Sequence, residues 1–292
     1  MARVLISTPM LEGCLDALAG HELIAGPPGS DAAAQALLCR PRVPVDAAAL
    51  ARMPELRFIA VAGAGVDAID HEAADRRGIV TLTAGEALVE TTADLAFGLI
   101  IWASRGLGEA ELELRQGRWE ASGFEQTAGR DVHGAKLGLV GFGAIGRAVA
   151  RRARGFSMEL SHHTRNDTGE PGWTEQLDEL LAASDIVSLH VPLSASTRGL
   201  LDRRRLGLMR EGAVLVNTAR GAVVDEEALA DALDSGRLGA AGIDVYEHEP
   251  RPSPRLLAAP RAVLLPHVGS ATASTRRAML RLAAERLARA LG

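Results

Sequence analysis

Residues 136 to 147 read Lys-Leu-Gly-Leu-Val-Gly-Phe-Gly-Ala-Ile-Gly-Arg, a short apolar run followed by a glycine-rich turn and the start of a helical segment. Gly141, Gly143 and Gly146 form the pattern G-x-G-x-x-G. The first glycine permits a tight turn, the second lets the backbone approach a pyrophosphate, and the third lets the helix pack close to the strand. Ordinary strand-to-helix turns also produce this pattern, but its position between an apolar strand and an apolar helix favours a dinucleotide site.

The helix that follows this turn supplies further binding groups. The first N–H groups of a helix have no partner within it and lie at the positive end of its dipole, so they favour a phosphate. The sequence therefore predicts that Gly141, Gly143, Ala144, Ile145 and Gly146 bind the pyrophosphate of a dinucleotide.

Composition narrows the class of protein. A chain of 292 residues predicts about two domains. With 47% hydrophobic and 24% charged residues, the chain has the composition of a globular protein with large apolar cores. The net charge of −5 gives no reason to expect a nucleic acid partner, because proteins that bind nucleic acids are usually basic.

Cysteine usage and hydropathy bear on location. Cys14 and Cys39 both lie among apolar neighbours, which favours buried free thiols in a reducing compartment over a disulfide. No apolar run approaches the roughly 18 residues of a membrane helix, and residues 1–10 lack the apolar core of a signal peptide. We therefore predict a cytoplasmic protein with no membrane partner. The Cys and His residues lack metal-ligand spacing, so no metal is expected.

Predicted strands and helices alternate along the first third of the chain. The strands are residues 4–7, 22–25, 36–39, 58–62 and 79–82, and the helices include 11–19 and 70–77. This alternation implies a parallel sheet with helices on its faces. The fourth strand runs into Ala64 and Gly65, whose N–H groups either hold an anionic substrate at the sheet edge or belong to a simple tight turn.

The pattern changes after a predicted helix over residues 89–104. It loosens over residues 105–134, which we interpret as the crossing between two domains. Trp102, Trp119 and Phe124 are candidates to anchor this crossing or a partner subunit.

From residue 137 the alternation resumes around the glycine turn. The predicted strands are residues 137–140, 158–162, 186–191, 214–217, 240–245 and 263–265, and the helices are 145–154, 174–182, 203–210 and 226–235. This pattern predicts a doubly wound parallel sheet. An amphipathic helix over residues 276–291 follows, and we expect it to return to the first domain.

The end of the second of these strands bears on the choice of cofactor. Sites that prefer NAD carry an Asp or Glu about 20 residues after the glycines, where it binds the ribose hydroxyls. Thr164 occupies that position here and Arg165 follows it. A hydroxyl and a guanidinium suit a 2′-phosphate, so we predict a preference for NADP(H). The alternative is that Asp167 is the acid and Arg165 is simply solvated.

Three later strand ends carry reactive side chains. Arg220, Glu249 and His267 each follow a predicted strand of the second sheet. Singly they would be a surface ion pair, a loop acid and a hinge histidine. Together, a cation for a carboxylate and carbonyl and a histidine oriented by a carboxylate suit hydride transfer to a 2-keto acid. His248, adjacent to Glu249, is the rival acid.

With these motifs, the chain resembles the D-isomer-specific 2-hydroxyacid dehydrogenases, the family of the glyoxylate/hydroxypyruvate reductases and phosphoglycerate dehydrogenases. The matching stretches, in order, are residues 64–70, 92–96, 141–146, 190–193, 216–221, 242–245, 249–250 and 267–272. The resemblance covers almost the whole chain.

The resemblance implies a role for each candidate catalytic residue. Arg220 would bind the carboxylate and carbonyl of the substrate, His267 would be the general acid and base, and Glu249 would pair with His267. Ala64 and Gly65 would hold the substrate carboxylate through their backbone N–H groups, which favours the first of the two alternatives for that loop.

The resemblance also implies contacts to the cofactor. Thr218, Arg220 and Asp244 would line the nicotinamide, and Val191 and Pro192 would flank the adenine. The strand end that contains Thr164 and Arg165 is similar to that of the family's NADP-dependent reductases.

The implied architecture is α/β, with two doubly wound parallel-sheet domains in a homodimer. A flavodoxin-like substrate domain would comprise residues 1–97 plus 269–292, and a Rossmann NAD(P)-binding domain residues 98–268.

The implied protein is an oxidoreductase that transfers a hydride between NADP(H), or NAD, and a small 2-keto or 2-hydroxy acid such as glyoxylate or hydroxypyruvate. Two alternatives stay open. One is NAD-dependent oxidation of a larger or phosphorylated hydroxy acid, and the other is a nucleotide-sensing binding protein of the same fold. The sequence leaves the particular 2-hydroxy acid and the direction of the reaction open.

Overall fold

A computed structural model of the protein describes residues 1–9, 11–119 and 129–292. Within it the chain forms two compact units, Met1–Thr91 with Ser270–Gly292, and Thr92–Gly269. The first division falls inside a long helix. The division into a substrate domain, 1–97 plus 269–292, and a cofactor domain, 98–268, stays a prediction.

Parallel strands and helices alternate in both units. The strands are β1 (Arg3–Ser7), β2 (Glu22–Ala25), β3 (Ala36–Cys39), β4 (Phe58–Val61), β5 (Val80–Thr83), β6 (Lys136–Val140), β7 (Glu159–His163), β8 (Ile186–Leu189), β9 (Ala213–Asn217), β10 (Leu238–Ile243) and β11 (Ala262–Leu264). The helices are α1 (Ala47–Ala51), α2 (His71–Arg76), α3 (Val89–Arg105), α4 (Leu107–Arg115), α5 (Ala144–Arg154), α6 (Leu177–Ala183), α7 (Arg203–Leu208), α8 (Glu226–Asp234), α9 (Pro254–Ala258) and α10 (Ala273–Leu291).

The first unit contains a parallel sheet in the order β2-β1-β3-β4-β5. This is the flavodoxin-like strand order. Strand β3 is buried along its whole length, as expected for the centre of a parallel sheet covered on both faces. The core of the unit includes Leu5, Leu37 and Ile59, which are fully buried. The flavodoxin-like fold predicted for this part of the chain is therefore confirmed.

The C-terminal helix α10 belongs to this first unit. It packs across β3, β4 and β5 and buries Met279, Leu280 and Leu287. It begins at Ala273, earlier than the sequence pattern indicates, because the hydroxyl of Thr272 accepts a hydrogen bond from the N–H of Thr275 at 3.1 Å and caps the helix.

The second unit contains a parallel sheet in the order β11-β10-β9-β8-β6-β7. A single parallel bridge between His162 and Trp173 adds one more chain segment beyond β7. With that segment counted as a short third strand, the first six positions follow the dinucleotide-binding order 3-2-1-4-5-6. The predicted Rossmann architecture is confirmed.

Three differences from the predicted elements concern helices. Residues 11–19 contain only a 3-10 turn, Asp16–Leu18, because Gly13 has a φ of +67° and interrupts any longer helix. The region 105–134 contains α4, which Gly106 separates from α3 by taking a left-handed conformation. The short helices α1 and α9 were not predicted. Phe124 lies outside the described residues.

One stretch has the length and composition of a membrane helix. Gly85–Arg105, which includes α3, has a mean hydropathy of 1.3, which corrects the expectation that no apolar run approaches this length. Half of the stretch is buried inside the protein, as in the core helix of a globular fold.

Candidate active site

The parallel sheet of the second unit brings the predicted site residues to one edge. Because its strands all run in the same direction, their carboxyl ends meet there. The residues that follow these ends are Gly141 after β6, Thr164 after β7, Val191 after β8, Thr218 and Arg220 after β9, Asp244 after β10 and His267 after β11.

The glycine turn has the form that a dinucleotide site needs. A Cβ on Gly141, whose φ is +96°, would lie 2.6 Å from the carbonyl of His190, and one on Gly146 would lie 2.4 Å from the oxygen of Gly141. Gly143, by contrast, faces open space, with no heavy atom within 4 Å of a Cβ built on it. The first and third glycines are therefore required for packing, and the second leaves room for a ligand.

The start of α5 beside this turn has no side-chain cap. Gly143 is the N-cap residue, so the first N–H groups of the helix, from Ala144 to Gly146, receive no capping hydrogen bond. Ala144 is exposed and Ile145 is half-buried. An anion placed here would satisfy these N–H groups, which is the fit that a pyrophosphate requires.

An aromatic stack supports the glycine turn. The ring of Phe142 stacks on that of His162 with centroids 3.8 Å apart, and the guanidinium of Arg147 lies 4.8 Å from the Phe142 centroid. Arg147 also forms an ion pair with Glu170. Burial, and the charge of Arg147 after it, lower the pKa of His162, whose Nε2 lies 2.7 Å from the hydroxyl of Thr168. Nothing in the sequence indicates this arrangement beyond the strand alternation that separates the two adjacent histidines.

The segment that follows β7 contains the residues predicted to select the cofactor. Thr164 is half-buried and its hydroxyl donates a hydrogen bond to the carbonyl of Asn166 at 2.7 Å. Arg165 is exposed, and it forms no ion pair with any described residue. Asp167 is also exposed, and its carboxylate accepts a hydrogen bond from the N–H of Gly169 at 2.8 Å. The guanidinium of Arg165 is therefore available to an anion, whereas the carboxylate of Asp167 stabilises its own loop.

A partly buried histidine lies behind the glycine turn. The ring of His190 is close to Gly146, and its Nε2 is 3.0 Å from the hydroxyl of Ser188. Burial lowers the pKa of His190 to about 4, so the ring is neutral near pH 7. The following residues differ in exposure: Val191 packs partly against the core, and Pro192 is exposed.

The turn after β9 fixes the backbone of Arg220. Asn217 is buried at the end of the strand, where its side-chain amide donates to the carbonyl of Arg220 at 2.9 Å and its oxygen accepts from the N–H of Ala219 at 3.0 Å. The Nη1 of Arg220 donates to the carbonyl of Ala219 at 2.7 Å. Asn217 is thus a positioning residue that the sequence analysis missed, although its place at a strand end was a usable signal.

Thr218 in the same turn has an unusual hydroxyl. It is buried, yet it has no hydrogen-bond partner in the described part of the chain. Buried polar atoms are normally paired, so an unpaired hydroxyl at this edge fits a site where a ligand completes the bond. The open glycine, the uncapped helix and this hydroxyl together fit a dinucleotide.

Glu249 and His267 form the closest acid–base pair at this edge. The Nδ1 atom of His267 lies 2.8 Å and 2.9 Å from the two carboxylate oxygens of Glu249. The two side chains are 29% and 15% exposed, so the pair is largely shielded while the imidazole keeps access to solvent. His248, the rival, is exposed beside them. The structure therefore brings His267 and Glu249 together as the sequence predicts.

The backbone after His267 is held by Asp244. The buried carboxylate of Asp244 accepts hydrogen bonds from the N–H groups of Val268 at 2.7 Å and Gly269 at 2.8 Å. Burial raises the pKa of this carboxyl group, and the two N–H donors act in the opposite direction. His267 itself has a φ of +54°, a left-handed conformation that costs energy for a residue with a side chain.

The loop with Ala64 and Gly65 lies in the first unit. Its entry is fixed by the N–H of Ala62, which donates to the carbonyl of Cys39 at 2.8 Å, and by the N–H of Gly63, which donates to the carbonyl of Val61 at 2.8 Å. Ala64 is exposed and Gly65 half-buried, and neither N–H has a partner among the described residues. This loop can bind an anion by its own backbone.

The described side chains do not support a metal site or a cysteine nucleophile. Within residues 1–9, 11–119 and 129–292, no three His, Cys, Asp or Glu residues are grouped as a metal site requires. Both Cys14 and Cys39 are free and buried, and burial raises the pKa of Cys39 to about 12. A thiol with so high a pKa is a poor nucleophile.

The chain is similar to known proteins over most of its length. Residues 97–269 match the family described as D-isomer specific 2-hydroxyacid dehydrogenase, NAD binding domain. A glyoxylate reductase from Thermococcus kodakarensis is 41% identical over 252 residues, which cover 83% of this chain and 76% of that protein. A 4-methyl-2-oxopentanoate reductase from Aspergillus oryzae is 41% identical over 242 residues, which cover 81% of this chain and 72% of that protein.

A solved structure is similar over almost the whole chain. It is that of an NADPH-dependent glyoxylate/hydroxypyruvate reductase from Sinorhizobium meliloti in complex with NADP and malonate. The two chains are 33% identical, with a TM-score of 0.89, and the match covers 98% of this chain and 92% of that one.

Proposed function

Because this chain belongs to the D-isomer specific 2-hydroxyacid dehydrogenase family, it is a 2-hydroxyacid oxidoreductase with a nicotinamide cofactor, and we propose that it reduces small 2-keto acids with NADPH. The observation that carries the proposal is the contact between His267 and Glu249 at 2.8 Å, at the sheet edge that also contains the glycine turn. A shielded imidazole–carboxylate pair at this position is suited to proton transfer.

The protonation of the substrate follows from this contact. A bound nicotinamide supplies the hydride that reduces C2 of the keto acid to the D-hydroxy acid. His267 uses Nδ1 to contact Glu249, so its Nε2 is the atom that donates a proton to the keto oxygen. The negative charge of Glu249 stabilises the imidazolium before this transfer, and in the opposite direction Nε2 accepts the proton from the hydroxyl.

Recognition of the acid group is assigned to cations and N–H donors. The guanidinium of Arg220 binds the carboxylate and carbonyl of the substrate in this proposal, and the backbone N–H groups of Ala64 and Gly65 bind its carboxylate. Glyoxylate and hydroxypyruvate are the first candidates, because the relative from Thermococcus kodakarensis is a glyoxylate reductase. The relative from Aspergillus oryzae makes a branched 2-keto acid the second candidate.

The preference for NADP(H) is supported by the segment after β7. Thr164 stands where an NAD-preferring site carries an acid, and the exposed guanidinium of Arg165 follows it without an ion pair to any described residue. A 2′-phosphate would give this cation two parallel hydrogen bonds. In the same proposal Thr218 and Asp244 line the nicotinamide, and Val191 and Pro192 flank the adenine.

We also propose a cytoplasmic homodimer. Helix α4 and the end of α3 expose Trp102, Leu107, Leu112 and Leu114, and Trp119 is 78% exposed. Apolar side chains this numerous on one arm are typical of an interface. Nucleic acid and membrane surfaces are not among the proposed partners.

Parallel assays with NADPH and NADH test the proposed function. The purified chain would be supplied with glyoxylate, hydroxypyruvate, pyruvate and 4-methyl-2-oxopentanoate, and cofactor consumption would be followed by absorbance. We expect turnover with glyoxylate, hydroxypyruvate or both. We also expect a higher kcat/KM with NADPH than with NADH. If the chain binds NADPH but consumes it with none of these acids, the proposed activity is wrong, and the two alternatives are a larger or phosphorylated substrate and nucleotide sensing.

A further inference from the structure

Tyr246 contacts Glu249 and also the backbone next to the other two candidate catalytic residues, Arg220 and His267. It lies in the segment that follows β10, where its ring is buried in the apolar core of the second unit. The sequence predicts no role for Tyr246, and the family match, which includes this position, assigns none to its hydroxyl group.

The hydroxyl of Tyr246 is hydrogen-bonded to the segment that precedes His267. It donates a hydrogen bond to the carbonyl of Leu265 at 3.0 Å. The same carbonyl accepts the backbone N–H of His267 at 3.1 Å. Two donors therefore meet on one oxygen, and the phenol fixes the carbonyl that fixes the strained backbone of His267.

The backbone of Tyr246 is hydrogen-bonded to Glu249, the partner of this histidine. Its N–H donates to Oε1 of Glu249 at 3.2 Å, which is the same oxygen that lies 2.8 Å from Nδ1 of His267. One residue thus holds the carboxylate with its main chain and the histidine loop with its side chain.

The peptide after Tyr246 also packs against the turn of Arg220. A Cβ on Gly221 would lie 1.8 Å from the carbonyl carbon of Tyr246 and 2.2 Å from the nitrogen of Glu247. Gly221 is therefore required for the close approach of this peptide to the residue next to Arg220.

We propose that Tyr246 is a positioning residue for the reaction, and that its hydroxyl sets the register between the imidazole of His267 and the carboxylate of Glu249. This inference rests on the proposed function. The hydroxyl is suited to the task because burial raises the pKa of Tyr246 to about 12, so it stays a donor throughout the working range. The carboxylates of Asp244, Glu226 and Glu249 act in the same direction.

The substitution Tyr246→Phe tests the proposal, because it removes the donor and keeps the ring. We expect kcat for the best 2-keto acid to fall about 5- to 50-fold, since displacement of a reacting group by a fraction of an ångström is enough for such a loss. The KM for NADPH should stay the same, because Tyr246 contacts none of the residues assigned to the cofactor phosphates. Ser235→Ala is the matched control, since it removes another bond from a hydroxyl to a backbone carbonyl, at 3.3 Å and away from the site.

A double substitution gives a readout that simple destabilisation would not change. Tyr246→Phe leaves in place the charged groups that hold this segment, among them Asp244, whose carboxylate binds the N–H groups after His267, and Glu226, which accepts the N–H of Glu247. In a Glu249→Gln background, Tyr246→Phe should have little additional effect, because both changes disturb one pair.

A spectroscopic measurement separates this proposal from the proposed function. Tyr246 is the single tyrosine of the chain, so growth on 3-fluorotyrosine labels this position alone. The 19F signal should shift between the wild-type chain and Glu249→Gln, even if no substrate is found or Tyr246→Phe does not fold. A wild-type chain inactive on every 2-keto acid would refute the proposed function. Equal kcat in Tyr246→Phe and Ser235→Ala, or an unchanged 19F signal, would refute the role of Tyr246.

Discussion

His267 has a reactive side chain and an energetically unfavourable backbone conformation. Its φ of +54° is held by the carbonyl of Leu265 on one side and by the carboxylate of Asp244, through the N–H groups of Val268 and Gly269, on the other. A non-glycine residue in this conformation costs about 1 to 3 kcal/mol and persists only where its surroundings determine it. The cost is consistent with a residue whose ring must point in one direction.

Replacement of this imidazole tests its role as the proton donor. His267→Ala should lower kcat by about 10²- to 10⁴-fold, which is the usual contribution of a general acid, while the Kd for NADPH stays near the wild-type value. His248→Ala is the matched control, because His248 is an exposed histidine beside the same carboxylate. Steady-state kinetics and cofactor titration would measure both variants. Near-normal turnover in His267→Ala, with loss in His248→Ala, would reverse the assignment.

Charge reversal at Arg165 tests the cofactor preference. Arg165→Asp should move the ratio of kcat/KM values from NADPH toward NADH by about 10- to 100-fold, since a hydrogen bond to a charged group contributes roughly 1.5 to 3 kcal/mol. Asp167→Asn is the companion variant, because Asp167 is the rival acid and its carboxylate binds only the N–H of Gly169 among the described residues. If Asp167→Asn weakens NADH and Arg165→Asp changes nothing, the ribose acid is Asp167 and the preference is for NAD.

The sequence indicates candidate reactive groups more readily than the residues that hold them in place. Arg220 and His267 are candidates because they follow apolar strands that end at one edge of a parallel sheet. Asn217 and Tyr246 were missed because their bonds depend on which turns meet in space, and no spacing in the chain encodes that. Thr218 was predicted only through the family resemblance, and its unpaired hydroxyl is visible only in the fold.

Among the elements, the glycine turn between β6 and α5 depends on its neighbour β8. Gly141 packs against the carbonyl of His190, and Gly146 lies near the ring of the same residue. The ring accepts or donates one hydrogen bond with Ser188 and is neutral near pH 7. The shape of the phosphate turn is therefore linked to an uncharged imidazole beneath it.

Protonation of His190 should destabilise the second unit in acid. The pKa is about 4 in the folded chain against its ordinary value of 6.5, so between these values the unfolded chain binds more protons and stability falls as pH falls. Between about pH 7.5 and about pH 5 this residue should cost roughly 2 kcal/mol of the free energy of unfolding. This cost in the free energy of unfolding is absent well above pH 6.5, and it grows progressively as the pH falls toward 4.

Urea unfolding of His190→Gln at both pH values measures this contribution. Trp102, Trp119 and Trp173 all lie in the second unit, so tryptophan fluorescence reports the unfolding of that unit. The variant should lose less stability on acidification than the wild-type chain. His133→Gln, which changes an exposed histidine of the same unit, should leave the wild-type pH dependence intact. Equal acid sensitivity in all three proteins would show that His190 is not the group that titrates.

Strands were predicted more accurately than helices for a physical reason. A strand of a parallel sheet is buried on both faces, so it reads as a short apolar run bounded by turn residues, and β2 and β3 begin and end where the sequence indicated. Helices α1 and α9 have only five residues each and are too short to show a period of 3.6. What stabilises α1 is a local cap, in which the carboxylate of Asp46 accepts the N–H of Ala49 at 2.7 Å.

For the whole molecule, the overall architecture was predictable because alternating strands and helices allow few topologies. Right-handed crossovers and burial of both sheet faces leave the doubly wound sheet as the solution in each unit. The subunit arrangement does not follow from these rules, because an apolar side chain on a helix reads the same whether its own core or a second copy covers it. The arm of α3 and α4 leaves several apolar side chains exposed, which is the observation behind the proposed subunit interface.

A charge placed on this arm tests the homodimer. Leu107 and Leu114 are one heptad apart and so share a face of α4, and Leu114 is 59% exposed. Leu114→Glu would place a carboxylate in an apolar interface without disturbing a buried core, so the sedimenting mass should fall from twice 30.6 kDa to that value. Leu257→Glu is the matched control, since Leu257 is 56% exposed on α9, away from the arm. If both variants sediment as the wild-type chain does, at whatever mass, the exposed face of α4 is not the subunit interface and the apolar arm serves another purpose.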